Sequence, residues 1–112
     1  MNLLFICSMN KWRSPTAEKL YSKHPFIKVR SAGTSSKARR TIALNDIKWA
    51  DLIIVMENKH KQRLSANFRQ ELGRKKLIVL DIPDDYKFMA PELIEILQES
   101  IDPIITQNSE FS

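Results

Sequence analysis

Cys7 and Arg13 are the residues of this sequence whose types and spacing best suit chemistry, set at the two ends of Cys7-Ser8-Met9-Asn10-Lys11-Trp12-Arg13 and followed by Ser14. A cysteine attacks as its thiolate, and nearby cations and aligned backbone amides favour that charged form. The spacing lets a loop curl until the Arg13 guanidinium returns over the sulfur. There its planar fork can hold two oxygens of a phosphate, which a lysine point charge does not do. A helix starting just beyond the loop adds the positive end of its dipole. Attacker and oxyanion cradle fall in one stretch, and the chemistry they imply is that of a phosphate group. A small cysteine packed at a strand end is the plainer reading, but it leaves Arg13 unexplained.

The elements that must position this loop are legible on both sides of it. Leu3-Leu4-Phe5-Ile6 is a continuous apolar run, as expected of a central strand buried on both faces of a parallel sheet. After the loop, Ser14 is expected to cap a helix whose first turn suits Pro15. Ala17, Leu20, Tyr21 and His24 recur at helical spacing before Pro25 ends it. Residues 27–31 alternate and predict an edge strand, and Gly33 permits a sharp turn near the loop. Residues 52–56 predict a second central strand with Glu57 at its carboxyl end. A helix over 59–72 follows, apolar at Leu64, Phe68 and Leu72 and terminated by Gly73. Residues 77–80 form the fourth strand and lead into a carboxylate-rich turn, Asp81-Ile82-Pro83-Asp84-Asp85-Tyr86. The last helix begins near Pro91, carries Leu93, Ile94, Leu97 and Ile101 inward, and is kinked or ended by Pro103. Strands alternating with helices predict an α/β fold of three layers: a four-stranded parallel sheet, order 2-1-3-4, with helices on both faces. That order puts Cys7 at the carboxyl end of the first strand, beside the topological switch point where such folds bind ligands.

A chain of 112 residues is expected to form one domain, 1–112, without room for a second. Its hydrophobic fraction of 43% and charged fraction of 28% are those of a globular protein; only residues 107–112 suggest disorder. The opening residues lack the features of a secretory signal, and no apolar run approaches a membrane span. The cytoplasm is therefore the expected location, with no membrane partner. Eighteen Lys and Arg against thirteen Asp and Glu give a formal net charge of +5, a balance suited to steering phosphorylated substrates. The basic clusters at 37–40, 59–63 and 74–76 have no interleaved aromatic residues and read as solvated faces rather than a nucleic-acid footprint. A lone cysteine excludes an intrachain disulfide and a cysteine-based zinc site; no metal or cofactor is expected.

The stretch from Cys7 to Glu18, with Arg13-Ser14-Pro15 and Ala17-Glu18, resembles the phosphate loop of the low-molecular-weight protein tyrosine phosphatases. Further matches follow in order: Ser31-Ala32-Gly33-Thr34, then Ala50 to Glu57, then the acidic turn at Asp84-Asp85-Tyr86. The resemblance implies a phosphotyrosine-phosphatase-I-like fold and hydrolysis of a phosphate monoester, on a phosphorylated protein or a small molecule, through a phosphocysteine on Cys7. Phosphate or sulfate would sit in the loop formed by Ser8, Met9, Asn10, Lys11, Trp12, Arg13 and Ser14. Ser14 would donate to the thiolate, Asn10 would brace the loop, and Glu57 would order it or simply cap a helix. Asp84 is the expected general acid, with Asp81 its rival at the strand end. Lys11, Trp12 and Tyr86 would line the mouth, unless Trp12 is plain core. Three departures from the family pattern matter: Met9 stands where glycine would supply a positive φ; the segment 35–47 is short, so one wall of the cleft is reduced or missing; and Trp12 replaces a second cysteine. A non-catalytic phosphate-binding module is the alternative, and an arsenate-reductase-like enzyme using an external thiol is a weaker one. Without a resolving partner, an oxidised Cys7 proceeds toward irreversible acids. Peroxide should therefore inactivate the protein with poor recovery of activity on adding dithiol, and full recovery would contradict this reading.

Overall fold

Successive side chains of a strand point to opposite faces of its sheet, and the first strand, β1 (Asn2–Cys7), divides the core accordingly. Leu3, Phe5 and Cys7 belong to one buried cluster, Leu4 and Ile6 to the other. The structure, a computed structural model, describes residues 1–109. β1 pairs in parallel with β2 (Lys28–Gly33) on one side and β3 (Leu52–Val55) on the other, and β4 (Lys76–Val79) pairs in parallel with β3. The order is β2-β1-β3-β4, as the sequence predicts. All four residues of β3 are buried, which is why both of its faces are apolar.

Helices cover both faces. α1 (Arg13–Tyr21) and α5 (Pro91–Ser109) contribute Ala17, Tyr21, Leu93, Leu97, Ile101 and Ile105 to the first cluster. α2 (Leu44–Trp49) and α3 (Asn58–Asn67) contribute Ile47 and Leu64 to the second, and α4 (Arg69–Leu72) packs Leu72 against it. The Tyr21 hydroxyl donates to Asp102, tying α1 to α5; burial above all, then this bond and the Asp102 charge, push the phenol well above its ordinary pKa and keep it a donor. Among the described residues no helix is long and apolar enough to cross a membrane.

Several elements depart from the sequence reading, each for a local reason. α1 ends at Tyr21, before Pro25, so His24 lies beyond the helix and accepts the Phe26 N–H at 3.2 Å. The helix expected over 59–72 is divided where Phe68 leaves helical geometry (φ −133, ψ 34). α2 was not anticipated. Pro103 lies inside α5 rather than ending it; it is exposed, while Ile101 and Ile105 on either side of it are buried, and their burial offsets the lost backbone bond. Residues 107–109 continue this helix instead of being disordered; residues 110–112 lie outside the described residues.

Gly33 makes no left-handed turn, since its φ lies outside the left-handed region. Its role is close approach. A Cβ there would stand 2.5 Å from Ser8 O, 2.6 Å from Ala38 Cβ and 3.0 Å from Asn10 N, so only glycine lets the Cys7 loop and the segment after β2 close on each other. Gly33→Ala should lower stability by about 1–3 kcal/mol, read as a drop in the urea midpoint, and a midpoint unchanged from wild type would disprove this packing.

Candidate active site

The loop between β1 and α1 is gripped from outside through its carbonyl groups. Cys7 O and Ser8 O accept the Thr34 and Ser35 N–H groups, each at 3.0 Å, and Met9 O accepts the Arg39 N–H at 2.9 Å. Asn10 O accepts Arg39 Nε–H at 3.0 Å. In a trans peptide the N–H lies opposite the C=O. The N–H groups of Ser8, Met9, Asn10 and Lys11 therefore turn away from the bracing segment, toward the inside of the loop. The positive φ expected at Met9 falls instead on Asn10, at 52°, a conformation asparagine tolerates better than most L residues. Met9 does not have a positive φ, and its side chain is 41% exposed.

Asn10 is fully buried and holds the loop from within. Its Nδ2 donates to Ser14 Oγ and to Ser31 Oγ, both at 2.9 Å, and the Ser31 hydroxyl donates onward to Glu18 Oε1 at 2.5 Å. Ser14 lies inside α1, whose N-cap is Trp12, so the capping role expected of Ser14 is not what it does. Its Oγ stands 2.9 Å from Cys7 Sγ. With that oxygen accepting from Asn10, its single proton has two acceptors in reach, Ala32 O at 3.5 Å and the nearer sulfur, and an ionised sulfur can only accept.

Arg13 is 1% exposed. Its NH1 donates to Glu57 Oε2 at 2.5 Å and to Ile82 O at 2.8 Å, while Nε is buried without a hydrogen-bond partner, 3.6 Å from Asp84 Oδ1. Burial opposes the charged form of Glu57. The bond from Arg13 and its charge, with Lys59 and His60 adding, outweigh that and hold the carboxyl below its ordinary value. Of the two roles the sequence left open, Glu57 meets the loop arginine; it also occupies the N-cap position of α3, with no side-chain cap hydrogen bond.

Cys7, Met9, Lys11, Trp12, Arg13 and Asp84 line one cavity of about 280 Å³. Asp81, with a φ of 57°, lines a different cavity with Glu57 and Pro83. The acidic turn is pinned by Arg13 to Ile82 O, by the Ile82 N–H to Met56 O at 2.8 Å, and by the Met89 N–H to Thr16 Oγ1 at 2.9 Å. Trp12 is half-buried in the cavity wall and belongs to neither core cluster, whereas Tyr86, expected at the mouth, packs against the core. The segment 35–47 gives this cavity no side chain, as its shortness suggests, but it is not a bare face. Arg39 holds the loop, and Arg40 donates to Ser31 O at 2.8 Å and pairs with Asp46 at 2.5 Å. The basic cluster 37–40 is therefore structural in part. Among the described residues no group of three or more His, Cys, Asp or Glu could hold a metal ion.

A parallel sheet whose first strand empties into a turn headed by a cysteine and closed by a buried arginine is the architecture of a cysteine-based phosphate-loop protein. No family model matches the sequence. The low molecular weight protein-tyrosine-phosphatase Wzb of Escherichia coli K12 is 30% identical over 115 aligned positions, covering 77% of this chain and 78% of its own length. The chain belongs to the low molecular weight protein-tyrosine-phosphatase family. Its fold is that of the tyrosine phosphatase Wzb of Escherichia coli K30 solved with phosphate (TM-score 0.78, 21% identity, 95% of this chain and 96% of that one). It is equally the fold of the YwlE arginine phosphatase of Geobacillus stearothermophilus (TM-score 0.72, 19% identity, 99% and 97%).

One buried residue at the site was missed. His60 sits in the basic cluster 59–63, which the sequence presents as a solvated face, yet it is 1% exposed. Its Nδ1 accepts the Glu57 N–H at 3.0 Å, so the neutral ring carries its proton on Nε2, 2.8 Å from Ser8 Oγ, and donates there. Burial most of all, then the Arg13 charge with Lys59 adding, lower its pKa from 6.5 to about 4, and the carboxylates of Glu57 and Asp84 offset only part of this. Across that window the unfolded chain binds a proton that the folded chain refuses, so stability falls as pH drops from 6.5 to about 4. The depressed Glu57 contributes separately: its stabilisation is present above its ordinary 4.5 and is lost as pH falls through the lower folded value. Urea titrations should lose roughly 2–3 kcal/mol across the His60 window. His60→Gln should flatten that slope while leaving the more acidic fall, and an unaltered slope would show that another group is responsible.

Proposed function

We propose that residues 1–112 act as one cytoplasmic phosphatase domain that hydrolyses phosphotyrosine or related phosphate monoesters through a phosphocysteine on Cys7. The observation that carries this reading is the meeting of Cys7, Arg13 and Asp84 in one cavity, with Ser14 Oγ 2.9 Å from the sulfur. In the first step the Cys7 thiolate attacks phosphorus, the S–P bond forms and the bond to the leaving oxygen breaks. Asp84 gives its proton to that oxygen. The N–H groups of residues 8–14 and the Arg13 guanidinium neutralise the equatorial oxygens as charge builds on them. In the second step Asp84, now ionised, takes a proton from water, the hydroxide oxygen bonds to phosphorus, and the S–P bond breaks to return the thiolate and release phosphate. Asp84 supports the acid role better than Asp81 because it shares the cavity with the sulfur and Asp81 does not.

Purified protein should release nitrophenol from p-nitrophenyl phosphate at about pH 5 to 7, and Cys7→Ser should fall below about a thousandth of that rate. Asp84→Asn should slow esters with poor leaving groups about a hundredfold while sparing activated ones, whereas Asp81→Asn should change both little. An inert wild type would end the enzymatic proposal, and the reverse ranking of the two aspartates would move the acid role to Asp81.

A further inference from the structure

Beside the Cys7 cavity lies a second groove, of about 500 Å³, and Lys11 lines both. Pro15 and the exposed Phe88 give it an apolar floor. Three cations, Lys11, Lys19 and Arg39, stand against one carboxylate, Glu18. That carboxylate already accepts the Ser31 hydroxyl. Lys19 Nζ rests 5.6 Å from the centre of the Phe88 ring, and Lys11 Nζ 5.4 Å from that of Trp12. Among the described residues none of the three cations forms an ion pair with a carboxylate. Arg39 uses its Nε on Asn10 O, and no bond ties its terminal nitrogens to another described residue. The loop needs one cation for its phosphate, and Arg13 supplies it. Of the other three, Lys19 and Arg39 lie outside the Cys7 cavity, and Lys11 lines both hollows.

We propose that this groove selects substrates, binding acidic side chains that flank the phosphorylated residue of a peptide. The inference rests on the phosphatase reading and names its substrate class: an acidic phosphopeptide rather than a small metabolite. A small phosphomonoester that fills the Cys7 cavity ends short of Lys19, whereas a peptide continues past Lys11 onto the Phe88 floor. The acidic side chains then meet unpaired ammonium and guanidinium groups, and the peptide backbone covers the apolar floor.

The test uses two short phosphotyrosyl peptides, one flanked by Asp and Glu and one by Ala, with p-nitrophenyl phosphate as a probe that never reaches the groove. On wild type the acidic peptide should have about fivefold higher kcat/KM than the neutral one, chiefly through KM, with the advantage shrinking as salt rises. Lys19→Glu, an exposed change on α1, should leave p-nitrophenyl phosphate turnover unaltered, abolish the preference and favour a Lys-flanked peptide instead. The same ranking should hold for peptide binding to Cys7→Ser, measured without turnover, so the groove is judged even if catalysis is absent. Equal binding of acidic and neutral peptides, or a preference that survives Lys19→Glu, overturns the proposal. Loss of p-nitrophenyl phosphate turnover in wild type would count against the catalytic reading alone.

Discussion

The burial of the Arg13 guanidinium is the constraint on which the rest of the site depends. A charge taken out of water costs several kcal/mol unless it is paired and hydrogen-bonded, and only 1% of Arg13 remains exposed. Its partners come from distant parts of the chain: Glu57 at the end of β3 and the Ile82 carbonyl in the acidic turn. Satisfying one side chain thus fixes three pieces of chain relative to one another. The loop headed by Cys7, the start of α3 and the turn carrying Asp84 must all be in place, or a buried cation is stranded. The same charge acts on the neighbouring titratable groups, stabilising the ionised form of Glu57 and disfavouring that of His60.

A second constraint is the outward grip on the loop carbonyls. Amide N–H groups can face an anion only if the carbonyls on the far side of the same peptides are satisfied elsewhere. Here Thr34, Ser35 and Arg39 satisfy them, and Gly33 lets that segment come close enough to do so. The segment between β2 and α2 therefore braces the floor of the Cys7 cavity while lending it no side chain. The Asn10, Ser14 and Ser31 bonds complete the support from within. His60 adds a bond from α3 to Ser8, made by a neutral ring whose tautomer the Glu57 N–H dictates.

Much of this was legible because it rests on short-range physics. Continuous apolar runs at residues 3–6 and 52–56, bounded by turn signals, suit strands covered on both faces, and their alternation with helical patterns predicts a parallel sheet, whose order is β2-β1-β3-β4. Cys7 and Arg13 declare themselves because a phosphate loop needs a nucleophile and a fork at fixed spacing along one stretch of chain. What misled were positions whose meaning depends on distant neighbours. His60 looks like part of a charged surface until β3 and the loop close over it. Gly33 looks like a turn residue until Ser8 O is seen within reach of its absent side chain. Pro103 looks like a helix stop until the isoleucines beside it are found buried.

By itself, the sequence determined the four strands, most of the helices and the parallel α/β class, and it singled out Cys7 and Arg13 as a pair, since each follows from periodicity or from spacing within a few residues. Only the tertiary structure decided which aspartate shares the cavity with Cys7, which loop residue takes the left-handed turn, and which cations of a basic chain stand unpaired beside the site. Those outcomes depend on distances between segments far apart in the chain, and such distances are set when buried charges and carbonyls find partners, not by any local preference of the residues themselves.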